Sequence, residues 1–284
     1  MATLRDIRNR IKSVRNTAQI TRAMKMVSAA KLRRAQEMAV SGRPYSENLS
    51  AITRKLAILA GSSAHPLFRP SAGRKIDLVL FTSDKGLCGS FNANLIKKAQ
   101  NFLEEHQGRV TLIPVGKKAR DFAHRTGVPL GGEFTDITRS VGLPQAQRIA
   151  ALLLRRIRSG EADTTTLINS RFVSVLTQIP TVNVLFPIRP AESDRVPEIE
   201  YLYEPSREAL VEALVPLYTD TMVYQALVET VASEHGARMN AMETATKNAG
   251  ELIARLTLYY NRARQAAITK ELIEVVSGAD ALEG

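Results

Sequence analysis

LRDIRNRIKSVRNTAQITRAMKMVSAAKLRRAQEMAVS, residues Leu4–Ser41, contains neither proline nor glycine. As an α-helix, such a run of roughly 38 residues rises about 57 Å, at about 1.5 Å per residue. One ordinary domain cannot cover that length, so the stretch predicts a coiled coil or a shaft. Ile7, Ile11, Val14 and Ala18 fall on one face, while Ile20, Met24 and Val27 fall on nearly the opposite face. Two stripes on one helix need two surfaces to cover them: a second helix and something that encloses the pair. Gly42 and Pro44 then predict a kink or break, after which Tyr45–Ala60 resumes the helical pattern.

The far end of the chain matches this opening. From Ser206 to Ser277 the pattern is helical again, with Pro216 expected to interrupt it near its start. About 60 residues of helix would reach roughly 90 Å. Gly236 and Gly250 weaken it locally, by about 1 kcal/mol each relative to Ala. Met242, Ala245, Ala249, Leu252, Leu256, Tyr259 and Ala263 form one predicted stripe, and past Ala267 the residues Ile268, Leu272 and Val275 shift to another face. An ordinary helical domain would bury the same residues but would leave these lengths unexplained.

Between the helices the character changes. Ile76–Phe81, Val110–Val115, Phe172–Leu176 and Val182–Phe186 are short apolar runs rich in β-branched residues. They alternate with helical stretches near 93–105, 117–125 and 144–158, which argues a mostly parallel sheet. The fold class expected is therefore α/β plus a long helical coiled coil. Residues 1–60 supply an N-terminal helix, 76–203 a central Rossmann-like α/β domain, and 206–284 a C-terminal helix.

The net charge of +11 is concentrated at the start. Residues 1–40 carry ten Lys or Arg against Asp6 and Glu37, a surplus of +8. Such a segment attracts nucleic acid, anionic lipid or an acidic protein surface. A DNA-binding zipper would place its basic region beside a heptad repeat on the same helix. Here basic and apolar residues interleave and no aromatic platform accompanies them, so no nucleic acid partner is expected. No run of 18 apolar residues spans a bilayer, and the single cysteine, Cys88, excludes an intramolecular disulfide.

Motifs of chemistry are absent. Ser83-Asp-Lys-Gly-Leu-Cys-Gly-Ser-Phe-Asn92 follows a predicted strand and matches neither phosphate-loop pattern, so it reads as a structural turn. Gly86 and Gly89 are expected to supply its unusual backbone angles. Cys88 reads as a small buried residue rather than a nucleophile. His65, His106, His124 and His235 have no metal-ligand spacing. No catalytic residue, cofactor or metal site is expected.

Three stretches carry a family resemblance. Asp6–Gln36 closely resembles the opening helix of the ATP synthase gamma-subunit family. Ser83–Asn92 resembles its central motif. ASEHGARMNAMETATKNAG (Ala232–Gly250) and YNRARQAAITKELIEVVSG (Tyr260–Gly278) resemble its C-terminal signature.

The resemblance implies that the terminal helices wind into an antiparallel coiled coil inside a ring of three alpha and three beta subunits around one gamma. The C-terminal tip would run past the start of the first helix into an apolar sleeve, which gives Ile268, Leu272 and Val275 their role. The α/β domain would meet the epsilon subunit and the c-ring. The chain would be a non-catalytic rotor that couples proton flow to ATP synthesis and helps regulate ATPase activity. It would sit on the cytoplasmic side of the inner (plasma) membrane, touching it only through partners. Carried over residue by residue, a latch to a beta-subunit loop falls on Arg264, Gln265 and Thr269. Met24, Lys25, Lys31, Arg33 and Arg34 would face acidic levers on the ring. The lone Cys88 argues against the thiol regulation of chloroplast members, and the absence of a transit-like leader favours a bacterial source. The purified chain alone is expected to hydrolyse no ATP; steady turnover by a homogeneous preparation, lost on changing Lys85 or Cys88, would overturn the non-catalytic reading.

Overall fold

The seam of the first helix is more regular than its sequence suggests. The computed structural model describes residues 3–60, 65–69, 74–137, 141–189, 203–204 and 206–283. Helix α1 runs unbroken from Leu4 to Ala60. Its inward residues are Leu4, Ile7, Ile11, Val14, Ala18, Thr21, Lys25, Ser28, Leu32, Ala35, Ala39, Gly42, Ser46, Leu49, Thr53 and Leu56, all buried or half-buried and alternating steps of three and four. A sustained seven-residue repeat of this kind is the seam of a left-handed coiled coil. The break considered at Gly42–Pro44 does not occur. Pro44 lies on the exposed outer face, and its unmade hydrogen bond leaves the carbonyl of the likewise exposed Val40 open to water. Gly42 is inward instead, where a Cβ would stand 2.8 Å from Gln225 Oε1 of the second long helix.

That second helix, α5 (Arg207–Glu283), likewise passes through its proline, Pro216, without interruption. Residues 1–27 and 239–284 form one unit of the chain. Here the helices run antiparallel, with Thr21 Oγ1 2.8 Å from Thr246 Oγ1 and Lys25 Nζ 2.7 Å from Glu243 Oε1. The buried column of α5 differs from the predicted stripe. Met242, Ala249, Leu256 and Ala263 face inward as expected, but Thr246, Ile253 and Tyr260 join them. Leu252 and Tyr259 lie outside, 40% and 55% exposed.

Residues 28–238 form the other unit. Strands β1 (Ile76–Phe81), β2 (Val110–Val115), β3 (Thr164–Phe172) and β4 (Gln178–Phe186) make one sheet in the order β2-β1-β3-β4. The β1 pairings are parallel and the β3–β4 hairpin is antiparallel, giving the expected mostly parallel sheet. The run Phe172–Leu176 does not form the third strand. Only Phe172 belongs to that strand, Thr164–Phe172, and Val173–Leu176 form the hairpin turn, with Val173 and Leu176 exposed. Residues 190–202 of the expected central domain lie outside the described residues.

Alternation divides the sheet between two cores. Val79, Phe81, Ile113, Val115 and Leu167 enter one, with α4 (Leu143–Arg158) and the facing stretches of α1 and α5. Leu78, Leu80, Leu112 and Ile168 enter the other, with α2 (Phe91–Glu105) and α3 (Lys117–Thr126). The six residues of β1 are all buried, as a strand covered on both faces requires.

One carboxylate ties three elements of this unit together. Glu229 of α5 accepts Arg43 Nε at 2.6 Å and Arg43 NH2 at 3.0 Å, and the backbone N–H of Phe172 at 2.7 Å. Gln225 Nε2 adds a bond at 3.1 Å, while Arg43 also donates to the Phe172 carbonyl. The hydrogen bonds to Glu229 raise the Arg43 pKa. Glu229→Leu would leave the Arg43 charge and the Phe172 N–H without this partner. We expect a loss of about 2–4 kcal/mol, since breaking a buried pair costs more than replacing it whole. Denaturant titration checks this, and Arg43→Met combined with Glu229→Leu should recover part of the loss.

Candidate partner-binding surfaces

The unit of residues 1–27 and 239–284 leaves much of its apolar surface uncovered. Ile20, Met26 and Val27 of α1 are exposed, as are Leu258, Tyr259, Ile268, Leu272, Ile273, Val275 and Val276 of α5. The register explains the last group. Moving seventeen residues back from Thr21 to Leu4 carries the antiparallel partner forward from Thr246 to Ala263. Beyond about that point α5 continues as a single helix, and every residue from Ile268 to Gly278 is exposed. Contiguous apolar surface on that scale marks an interaction site.

Arg264, Gln265, Thr269, Ile268, Leu272 and Val275 therefore all stand on this overhang. Arg264, Gln265 and Thr269 are exposed, with Gln265 and Thr269 one turn apart on one face. Nearby, Lys270 and Glu274 pair along the helix at 3.5 Å. Periodicity alone missed Ile273 and Val276, which widen the apolar face beyond the predicted column.

The basic residues of α1 divide by environment. Arg5, Arg8, Arg10, Lys12, Arg15 and Arg22 are exposed in the first unit, where Met24 is half-buried and Lys25 is engaged by Glu243. In the other unit Lys31 and Arg34 are exposed, and Arg33 pairs along the helix with Glu37 at 3.2 Å. Exposed pairs of this kind contribute little to stability, which leaves the charges available to a partner.

The Ser83–Asn92 turn is built from hydrogen bonds rather than for phosphate. Asn92 Oδ1 accepts the Ser83 N–H at 3.1 Å, and Ser83 Oγ donates to the Lys85 carbonyl at 2.6 Å. Asn92 Nδ2 donates to Cys88 Sγ at 3.1 Å. Gly89 has the expected positive φ of 57°, but the other left-handed residue is Leu87 at 62°, not Gly86. Burial pushes the Cys88 thiol up, away from the reactive thiolate. Arg238 of α5 clamps the turn, donating to the Gly86 carbonyl at 3.2 Å and the Lys85 carbonyl at 3.3 Å, while pairing with Glu234 at 2.7 Å. Burial raises the Glu234 carboxyl, against the pull of Arg238. Burial also pushes the neighbouring His235 imidazole down to about 4, and the Arg238 and Lys31 charges add to that. Among the described residues no group of His, Cys, Asp and Glu is arranged to hold a metal ion.

Comparison with known proteins returns one family. The profile described as ATP synthase matches residues 3–282. The ATP synthase gamma chain of Pelotomaculum thermopropionicum is 44% identical over 100% of both chains. That of Anaeromyxobacter sp. (strain Fw109-5) is 48% identical, again over 100% of both. Among solved structures, a chain of the Tetrahymena thermophila mitochondrial ATP synthase, central stalk and c-ring, superposes with a TM-score of 0.64 at 28% identity, covering 80% of this chain and 99% of that one. A chain of the Euglena gracilis mitochondrial ATP synthase shares the fold, with a TM-score of 0.71 at 22% identity over 98% of this chain and 94% of that one.

The buried histidine gives a pH test. His235 releases its proton on folding, because its folded value of about 4 lies below the ordinary 6.5. Its stabilising contribution is full above about pH 6.5 and is lost as the pH falls toward about 4, a change of up to roughly 3 kcal/mol. Glu234, with its raised value, runs the opposite way and loses stability as pH rises above its unfolded value. His235→Gln removes only the first effect. The drop in thermal midpoint between about pH 7 and pH 4.5 should shrink in this variant, and an unchanged profile would mean that the imidazole protonates freely in the fold.

Proposed function

The chain belongs to the ATP synthase gamma-chain family, and on that premise we propose that it transmits torque by shape, turning the flow of protons through the membrane sector into ATP synthesis on partner subunits. It is the central-stalk rotor of the complex, with the alpha and beta subunits and the c-ring as neighbours. One observation carries the mechanism: a two-helix unit that keeps a second apolar face on each helix, and a single-helix overhang, uncovered by its own chain. A shaft of this construction fits inside a ring, where those faces meet three surrounding pairs of subunits in turn. Its surface is not three-fold symmetric, so each rotary angle presses the ring's catalytic sites differently.

In this reading the rotor itself is non-catalytic. Ile268, Leu272 and Val275 turn within an apolar sleeve. Arg264, Gln265 and Thr269 latch to a beta-subunit loop at particular angles. Met24, Lys25, Lys31, Arg33 and Arg34 face acidic levers of the ring, with Lys25 exchanging Glu243 for a partner carboxylate or sharing both. The α/β domain meets the epsilon subunit and the c-ring. The complex is membrane-associated, and no described helix of this chain is long and apolar enough to cross a membrane. The chain would reach the cytoplasmic face of the cell membrane through its partners.

Co-purification with alpha and beta subunits in a three-to-three-to-one ratio tests the assignment, and a chain that forms no such complex with its cognate subunits would overturn it. Arg264→Ala with Gln265→Ala removes three or four partner hydrogen bonds, each worth about 0.5–1.5 kcal/mol, or about 1.5–3 where charged. Alanine keeps the helix intact, so we expect normal assembly with ATPase turnover reduced severalfold or more. Ile253→Gly with Leu256→Gly removes seam contacts and helix propensity together, and should impair assembly itself. Full turnover in the first variant would reduce those residues to ordinary polar positions.

A further inference from the structure

A cavity of about 450 Å3 opens in the unit of residues 28–238, between α1, α5 and the β3–β4 side of the sheet. Nothing in the rotor mechanism uses it. Its volume falls in the range of small-molecule sites. Four arginines line it, Arg43, Arg54, Arg171 and Arg189, against two glutamates, Glu47 and Glu229. Glu229 is already satisfied by Arg43, Gln225 and the Phe172 N–H. The side chains of Arg171 and Arg189 have no hydrogen-bond or ion-pair partner among the described residues, which leaves cationic forks facing an open space.

The sheet contributes polarity where its face would ordinarily be apolar. Leu167 of β3 packs into the core at the inner end of the cavity, and Asn169 and Arg171, further along the same face, line it as well. Asn169 is buried, and its Oδ1 accepts Thr181 Oγ1 at 3.0 Å and Asn183 Nδ2 at 3.3 Å. That orientation leaves its amide N–H donors for another partner. Amide donors and guanidinium forks together match the oxygens of a phosphate, which accept bidentate bonds from arginine. Leu185, Ile188 and Met222 supply an apolar part of the wall, enough to hold more than a bare anion.

We propose that this cavity is an anion site that takes a small phosphate-bearing molecule of nucleotide size. None of its lining residues is among those assigned to the ring. Occupancy would link α1, α5 and the sheet through one ligand, beside the Arg43–Glu229 tie.

Isothermal titration of the full chain alone, free of the nucleotide sites of other subunits, tests this with pyrophosphate and with ADP as separate probes. We expect saturable one-to-one binding of at least one probe, weakened tenfold or more by Arg171→Glu with Arg189→Glu. Arg171→Lys with Arg189→Lys should retain most of it. Reversal of exposed cations elsewhere, Lys97→Glu with Lys98→Glu on α2, should leave binding unchanged, which separates a site from general attraction to a basic chain. Unchanged thermal midpoints without ligand exclude unfolding, and the neutral Arg171→Gln with Arg189→Gln serves if the reversal proves unstable. Absence of saturable binding, or equal loss in both reversals, overturns the proposal. If neither probe binds but the cavity reversal strips a subunit from the assembled complex, the cavity receives a partner's acidic side chain and the small-anion site is likewise rejected. The titration outcomes on the chain alone do not depend on the rotor assignment, which stands on assembly with alpha and beta subunits.

Discussion

At Gly42 the seam of α1 has no side chain, and the end of the Gln225 side chain occupies the space, its Oε1 2.8 Å from where a Cβ would stand. Thr21, Ser28, Ala35 and Gly42 follow one another at seven-residue steps, with Ala39 and Ser46 between the larger Leu32 and Leu49. Small residues at successive heptad positions allow two helices to approach closely, and the seven-residue period makes them coil. Hydroxyls in such a seam must bond locally. Thr53 donates to the Leu49 carbonyl at 2.7 Å, Ser46 to the Arg43 carbonyl at 2.9 Å, and Thr21 meets Thr246. A pair of helices packed along one narrow stripe has little lateral room, so the rest of each helix's apolar surface stays outside.

Charge fixes the α/β domain to α5 at two places. Glu229 receives the end of β3 through the Phe172 N–H, and Arg238 holds the Lys85 and Gly86 carbonyls of the turn. Ser233 Oγ adds a bond to the Ser170 carbonyl at 3.2 Å. Gly236 lies between these ties, and a Cβ there would meet the Phe172 ring at 3.3 Å. Buried charges are costly unless paired, so such ties select one docking position more than they add net stability. For a rotor this has a direct consequence: torque applied to the domain passes into the helix through bonds that fail if the parts slide.

The same logic separates binding surfaces from structure. Arg156 looks like one more basic residue in a basic chain, yet it is buried and bonded to Asp77 at 2.8 and 3.0 Å and to Glu161 at 2.6 Å. Arg171 and Arg189 are the reverse, cationic and, among the described residues, unengaged at a cavity rim. Sequence assigns all three the same charge, and only their neighbours give them different work.

Much was fixed by the sequence. The proline-free Leu4–Ser41 run required a long helix, the β-branched runs at 76–81 and 110–115 required buried strands, and the second apolar stripes required a partner beyond the chain. Those features follow from local sterics and periodicity, which act within a few residues. The tertiary structure decided the rest. Thr164–Phe172 became β3 despite its few large apolar residues, because β1 and β4 supply backbone partners on both sides, even though Thr165 Oγ1 is buried there without a bond. Pro44 and Pro216 stayed within helices because tertiary packing overrides local propensity, with Pro44 on the solvent side. On α5, Ile253 and Tyr260 faced inward in place of Leu252 and Tyr259. A helical period locates an apolar face only to within about one residue, roughly 100° of rotation, and the register of the opposing helix alone chooses between the columns.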